Sequence, residues 1–298
     1  MNKSIKIFEL KLSTRNMGES VWWIKNRVET KKGAVVYCAT LNEAKMYKDD
    51  DKIKKMLDEA DLITADGMPL VWGIRLKTGM GERVYGPDLM KKIFMDDKDR
   101  RWKHFFLGST RENLEKIRVR LVGEYGYKSK NIGSYSPEFK RRFNQDNYKK
   151  IKKIIEKFKP DIVWVGMGAE KQIVVANRLN KMIKGVVWIT VGAAFDFLAG
   201  SKKQCPKLIR SLGFEWLFRL INEPGRLGKR YWKVFYFVGR NIFLRLTKYK
   251  NIGIFFVFLF LSVLVVSPQF LVRSPGLIDD GTDLLYVKEN SFFRIINH

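Results

Sequence analysis

An α/β fold with a mainly parallel sheet is what this sequence predicts, on three observations. Short apolar runs rich in β-branched residues recur up to about residue 200, longer amphipathic stretches alternate with them, and each run ends at Gly, Thr or Ala. Runs that are apolar at every position, rather than at alternate ones, suit strands covered by helices on both faces. The chain has 298 residues, 46% of them hydrophobic and 30% charged, which is enough for one large domain and an appendage. Its mean hydropathy of −0.23 excludes a polytopic membrane protein but leaves room for one hydrophobic segment. Two cysteines, Cys38 and Cys205, and two histidines, His104 and His298, make neither a disulfide framework nor a four-cysteine zinc site and leave little for a histidine metal cluster, so a cytosolic-facing, metal-poor protein is expected.

Taken in order, the chain opens on an apolar stretch, Ile5 to Leu10, that Lys6 and Glu9 interrupt. It is too short for a secretory signal, and the amino end is expected to be retained. Gly33-Ala-Val-Val-Tyr-Cys38 reads as a buried strand, and Thr40 and Asn42 follow it, where they either orient a sugar or phosphate or cap the next helix. That helical stretch runs from Leu41 to Ala60. Within it Asp49-Asp50-Asp51 satisfies an Asp-x-Asp metal pattern, but among lysines and away from a strand end it reads as a solvated face. Next, Leu62-Ile63-Thr64 leads into Ala65-Asp66-Gly67-Met68-Pro69. A carboxylate at a strand end followed by Gly can accept a proton from a hydroxyl in a cleft, although Asp-Gly is also an ordinary turn. The loop Glu82-Arg83-Val84-Tyr85-Gly86-Pro87-Asp88 offers a guanidinium suited to a pyrophosphate, or to a surface ion pair.

The second half repeats the pattern. Strands are expected at His104-Phe-Phe-Leu-Gly108, Asp161 to Gly166 and Gly185 to Gly192, with helical stretches at Arg111–Tyr125 and Arg141–Phe158. Gly166-Met167-Gly168, followed by Lys171 and Gln172, could cradle a phosphate at a helix amino terminus, but the third glycine of a dinucleotide fingerprint is absent. Gly192 to Gly200, which contains Asp196, allows close backbone approach to a ligand. In such folds ligands bind beyond the carboxyl ends of the strands, so chemistry is expected just after each run.

Four regions are therefore expected: an α/β core over 1–205, a basic amphipathic appendage over 206–250, a hydrophobic helix over 251–273 and a polar tail over 274–298. After Glu223 no acidic residue occurs until Asp279, and Arg226, Lys229, Arg230, Lys233 and Arg240 are interleaved with aromatic residues, as in a membrane-surface helix. Ile252 to Val272 spans 21 residues, about 31 Å as a helix, just enough to cross a bilayer once. Lys and Arg on its amino-terminal flank place the large domain, and the amino terminus, at the cytoplasmic face of the cell membrane.

Five segments, none decisive alone, resemble the WecG/TagA/CpsF family in order and separation. They are Asp66-Gly-Met-Pro-Leu-Val-Trp72, Arg83-Val-Tyr-Gly-Pro-Asp-Leu89, Phe106-Leu-Gly108, Gly192 to Gly200 and Gly213-Phe-Glu-Trp-Leu-Phe-Arg-Leu-Ile-Asn-Glu-Pro-Gly-Arg226, and the resemblance covers about residues 5 to 235. It implies a Rossmann-like core with a basic helical carboxyl-terminal appendage that docks on the membrane. It also implies transfer of a sugar from a UDP-sugar to a polyprenyl-diphosphate-linked acceptor during surface-polymer synthesis. Carried over by position, Asp66 is the general base, Thr40 and Asn42 line the site, with Thr40 counted as catalytic beside the base, and Arg83 contacts substrate phosphate. Gln172 matches a glutamine in a Pro-Lys-Gln-Glu segment, from which this chain departs by carrying Glu170 for the proline and Ile173 for the glutamate. Cys205-Pro206 replaces the usual Ala-Pro. Gly108, Gly166, Gly168 and Asp196 join the expected substrate-binding set, with Arg219, Arg226 and Arg230 as the appendage cations. No cofactor or metal is expected, since cations and backbone N–H groups can stabilise a departing diphosphate.

A net charge of +26 with abundant aromatic residues also suggests a membrane-anchored nucleic-acid-binding protein as an alternative. The basic excess lies beside the hydrophobic run and no nucleic-acid motif appears, so no nucleic-acid partner is expected. A nicotinamide-dependent oxidoreductase would need a glycine fingerprint after the first strand, which is absent. Self-association is left open by the sequence.

Overall fold

The computed structural model describes residues 3–138 and 142–246. An antiparallel hairpin of β1 (Ser4–Ile7) and β2 (Leu10–Ser13) opens the chain. The remaining strands are β3 (Ala34–Ala39), β4 (Leu62–Ala65), β5 (His104–Gly108), β6 (Ile132–Tyr135), β7 (Ile162–Gly166) and β8 (Val187–Thr190). They form one parallel sheet in the order β4-β3-β8-β7-β5-β6. Every residue of β3, β4, β5 and β8 is buried, which is the two-sided burial that their unbroken apolar runs require.

One face of the sheet is covered by α2 (Leu41–Asp49), α3 (Asp51–Asp58), α4 (Met68–Thr78), α7 (Gln145–Phe158) and α8 (Ala169–Met182), with the hairpin's Ile7, Leu10 and Leu12 in the same core. The other face is covered by α1 (Met17–Glu29), α5 (Gly86–Asp96), α6 (Arg111–Tyr125) and α9 (Ala194–Leu198). Local signals set several helix starts. Asn16 with Glu19, and Thr40 with Glu43, form reciprocal capping boxes, and Thr110 accepts from the Asn113 N–H. Gly79 and Gly126 end their helices in the left-handed conformation.

One expectation is corrected. The stretch from Leu41 to Ala60 is two helices, because Asp50 is extended and its carboxylate accepts from the Lys52 and Ile53 N–H groups at 2.8 and 3.1 Å. Asp50 thus caps α3 and, like Asp49 and Asp51 beside it, stays exposed on a solvated face. In the described part of the appendage, α10 (Lys207–Ser211), α11 (Glu215–Asn222) and α12 (Pro224–Leu246) follow one another. Residues up to Val234 belong to the same compact unit as the sheet, and the described part of the second unit is the continuation of α12 from Phe235 to Leu246. Among the described residues no helix is long and apolar enough to cross a membrane, and the Ile252–Val272 run lies outside them.

One polar cluster sits inside the second face. The Trp164 indole N–H donates to His104 Nδ1 at 3.2 Å, His104 Nε2 lies 3.1 Å from the Tyr127 hydroxyl, and that hydroxyl reaches the Phe94 carbonyl at 3.4 Å. Burial pushes the His104 imidazole down to about 3, so it is neutral.

Candidate active site

The carboxyl ends of β3 and β4 meet at Asp66. Its N–H and that of Gly67 both donate to the Ala39 carbonyl, at 2.8 and 3.2 Å. A side chain at Gly67 would place its Cβ 3.2 Å from Thr40 Cα, so glycine is what lets the two strand ends close on each other. The Arg83 segment is tied alongside by the Val84 N–H, which donates to the Ala65 carbonyl at 3.0 Å. Arg83 then turns onto Asp66. Its Nε donates to the Asp66 carbonyl, and its Nη2 lies 3.4 Å from Asp66 Oδ1.

Arg83 has a second carboxylate partner that the sequence motifs do not single out. Glu215, at the first turn of α11, accepts from Arg83 Nη2 at 2.7 Å and from the Tyr85 hydroxyl at 3.0 Å. The guanidinium also lies over the Tyr85 ring, 4.1 Å from its centroid. Its Nη1 is buried and has no hydrogen-bond partner among the described residues. Burial pushes the Asp66 carboxyl up to about 7, with Arg83 opposing the rise and Glu215 and Glu43 adding to it. A carboxyl poised there, beside a clamped cation, can take a proton from a hydroxyl near neutral pH.

The other expected residues divide by their contacts. Thr40 stands beside Asp66 but caps α2, where its hydroxyl donates to Glu43 at 2.6 Å and accepts from the Asn42 N–H at 3.2 Å. Asn42 stands in the first turn of α2, with its amide 3.8 Å from Met46 Sδ. Gln172 is buried, and its Oε1 accepts from the Gly192 N–H at 3.0 Å, so the side chain holds the turn after β8. Replacing it with Ala leaves that N–H without its partner and is expected to cost about 1–3 kcal/mol, measurable as a lower urea midpoint. Asp196 accepts from the Asn113 amide at 3.2 Å and pairs with Lys202 at 3.6 Å. Arg219 lies 4.0 Å from Glu215 Oε1 and over the Phe197 ring, Arg230 Nε is buried without a hydrogen-bond partner among the described residues, and Arg226 lies in the first turn of α12.

Gly108, Gly166 and Gly168 mark the point where the sheet's winding reverses. After β5 the chain moves outward to β6 through α6 on one face, and after β7 it moves to β8 through α8 on the other. The adjacent ends of β5 and β7 are therefore the topological switch point, the position where open α/β sheets take ligands. Gly108 has φ +113, and a Cβ on it would lie 2.4 Å from the Gly166 carbonyl oxygen, so only glycine fits there. Gly168 precedes α8 with no side chain capping its free N–H groups.

The family model for glycosyl transferases of the WecG/TagA/CpsF family matches residues 5–251. The chain belongs to this family. The WecG/TagA/CpsF match extends beyond the span of about residues 5 to 235 over which the resemblance runs, and takes in all of α12. The protein is thus a glycosyltransferase of cell-surface polysaccharide synthesis. In this WecG/TagA/CpsF member, Ile173 is fully buried in the core beneath α8, so no carboxylate stands at that position to take part in chemistry.

Proposed function

We propose that the protein is an inverting glycosyltransferase that moves a hexose, of the N-acetylmannosamine type or another, from a UDP-sugar to a polyprenyl-diphosphate-linked sugar acceptor in the synthesis of a surface polysaccharide or teichoic-acid-type polymer. The observation that carries this reading is the buried Asp66 carboxyl held against Arg83 at the carboxyl edge of the sheet. The acceptor hydroxyl oxygen attacks C1 of the donor sugar as its proton passes to Asp66. The bond from C1 to the phosphate oxygen breaks, and the electron pair leaves with UDP. Arg83 Nη1 supplies donors for the diphosphate charge that develops. The β5–β7 switch point at Gly108, Gly166 and Gly168 suits the nucleotide end of the donor. It lies about 14 Å from β4, counting three strand spacings to β7, a gap that an extended nucleotide-sugar bridges.

A lipid-linked acceptor requires work at a membrane surface, and the outer face near Asp66 suits one. Trp72, Leu76 and Met80, on and just after α4, are exposed, as are Leu208, Leu212 and Phe214 around α10, and the Trp72 ring packs against Gly213. Residues 67 to 81 and 197 to 214 carry only positive charges. Such side chains insert among acyl chains while the cations face an anionic leaflet, each contributing about 1 kcal/mol. These features support a reading in which the enzyme works at the cytoplasmic face of the cell membrane, with Ile252–Val272 proposed as a further single-span anchor.

The test is transfer itself, with purified protein, a panel of radiolabelled UDP-sugars and synthetic polyprenyl-diphosphate sugar acceptors. Transfer from one donor class, persisting in EDTA, is expected. No transfer from any donor overturns the reading. Loss on chelation with recovery on adding Mg²⁺ or Mn²⁺ overturns its metal-independent form. For attachment, a chain ending at Lys250 is expected to sediment with anionic vesicles at low salt and to be released at high salt, because screening weakens surface attraction. The full chain is expected to resist both salt and carbonate; its release by carbonate means that Ile252–Val272 does not span.

A further inference from the structure

Glu215 is the only acidic residue between Asp196 and Glu223, a stretch that holds five lysines and arginines. Buried carboxylates are costly unless paired, so its place at the centre of the site needs a reason. Its two oxygens divide the work. Oε2 takes Arg83 Nη2 at 2.7 Å, and Oε1 takes the Tyr85 hydroxyl at 3.0 Å, with Arg219 Nη1 at 4.0 Å. Arg83 is thereby gripped from three sides, by Glu215, by the Asp66 carbonyl and carboxylate, and by the Tyr85 ring beneath it. Nη1 is left as the donor without a partner among the described residues.

We propose that Glu215 is a positioning residue for sugar transfer: from α11 it clamps Arg83 beside Asp66, leaves Nη1 for the substrate diphosphate, and offsets the positive charge that Arg83 would otherwise impose on the base. The proposal rests on the reading of Asp66 as the base. It assigns α11 an electrostatic task inside the site in addition to any contact with lipid. The groups that face Asp66 are Cys38 at the end of β3, Glu43 on α2, Arg83 and Tyr85 before α5, and Glu215 and Arg219 on α11. Among these Glu215 is the carboxylate that directly partners Arg83.

The sign follows from that arrangement. Asp66 must be ionised to accept a proton, so transfer rises with pH through its titration. Neutralising Glu215 leaves Arg83 and Arg219 less opposed, which favours the charged form of Asp66 and moves its titration to lower pH.

The experiment compares full-length wild type, Glu215→Gln, Glu215→Ala and Asp66→Asn across pH 5 to 9. The donor used is a UDP-sugar active with the wild type, and folding of each variant is checked by circular dichroism. Glu215→Gln keeps the shape and an acceptor for Arg83, so it is expected to fold and to shift the acid limb of kcat/KM down by roughly half to one pH unit. Glu215→Ala, which also loses the clamp, is expected to lower kcat on the plateau by roughly 10- to 100-fold with a smaller change in KM. A Glu215→Gln profile that superimposes on wild type, with plateau rates of both variants within threefold, overturns the proposal. If Asp66→Asn has lost transfer in that same experiment, the base reading survives and only the role of Glu215 falls. Wild-type rates in Asp66→Asn overturn both.

Discussion

Asp66→Asn is expected to lower transfer by about 10²–10⁴-fold at saturating substrate while the protein stays folded, because it removes the proton acceptor and almost no volume. Activity within threefold of wild type rejects Asp66 as the base. The same variant has a second signature, in stability. Burial pushes the Asp66 carboxyl up to about 7 from its usual 3.8, so the folded protein holds that proton more tightly than the unfolded chain does. Stability present in acid is then lost as pH rises from about 4 to about 7. Asn cannot ionise and escapes this loss. The melting temperature of Asp66→Asn is therefore expected to exceed that of wild type by a margin that widens between pH 4 and pH 7 and levels off above. A margin that shrinks over that range contradicts the assignment of a raised carboxyl.

Arg83→Gln is expected to have the other large effect, on activity and stability together. Arg83 and Glu215 are mostly buried, with 17% and 10% of their side chains exposed, and Asp66 shares the same guanidinium. Removing the cation leaves two carboxylates facing each other without compensation. Breaking a buried pair of this kind costs about 3–5 kcal/mol, which urea unfolding at pH 7.5 measures directly. Transfer falls as well, because the donor for the diphosphate is gone and Asp66, now beside an unneutralised Glu215, ionises only at higher pH. Arg83→Lys restores charge but not the fork that reaches Asp66 and Glu215 at once, so it is expected to recover stability better than activity. A loss of less than 1 kcal/mol in Arg83→Gln shows that the pair is more solvated than its geometry indicates.

Most of the sheet was legible because four of its strands lie in nearly unbroken apolar runs. Ala34–Ala39, His104–Gly108, Ile162–Gly166 and Val187–Thr190 fall within a residue or two of the runs read from the sequence. Asp66 was legible from its position at a strand end and Arg83 from its loop before a helix, and the structure brings the two into contact. The β1–β2 hairpin was not, because its turn residues, Phe8 and Glu9, adopt φ of +49 and +69 without the Asn-Gly or Asp-Gly that normally marks such a turn. Strand β6 was missed for a related reason, since Ile-Gly-Ser-Tyr carries too little apolar character for an edge strand to stand out. Gln172 shows a different limit: a polar side chain after a strand can as readily tie down a neighbouring loop as face a ligand, and here it bonds Gly192. Glu215 left two traces, a lone acid in a cationic stretch and a place in the Gly213–Arg226 segment, but nothing in the spacing connects it with residues more than 100 positions earlier.

The His104 cluster has a consequence for anyone following this protein by spectroscopy. An indole N–H can only donate, so Nδ1 of His104 must be the unprotonated nitrogen and Nε2 must carry the hydrogen toward Tyr127. The ring is thereby fixed in one tautomer. With protonation displaced to about 3, its carbon-bound proton resonances stay still while pH is swept across the neutral range. In a chain with two histidines, that stationary signal is a built-in gauge of whether the packing beneath β5 and β7 is closed, readable without any label attached to the molecule.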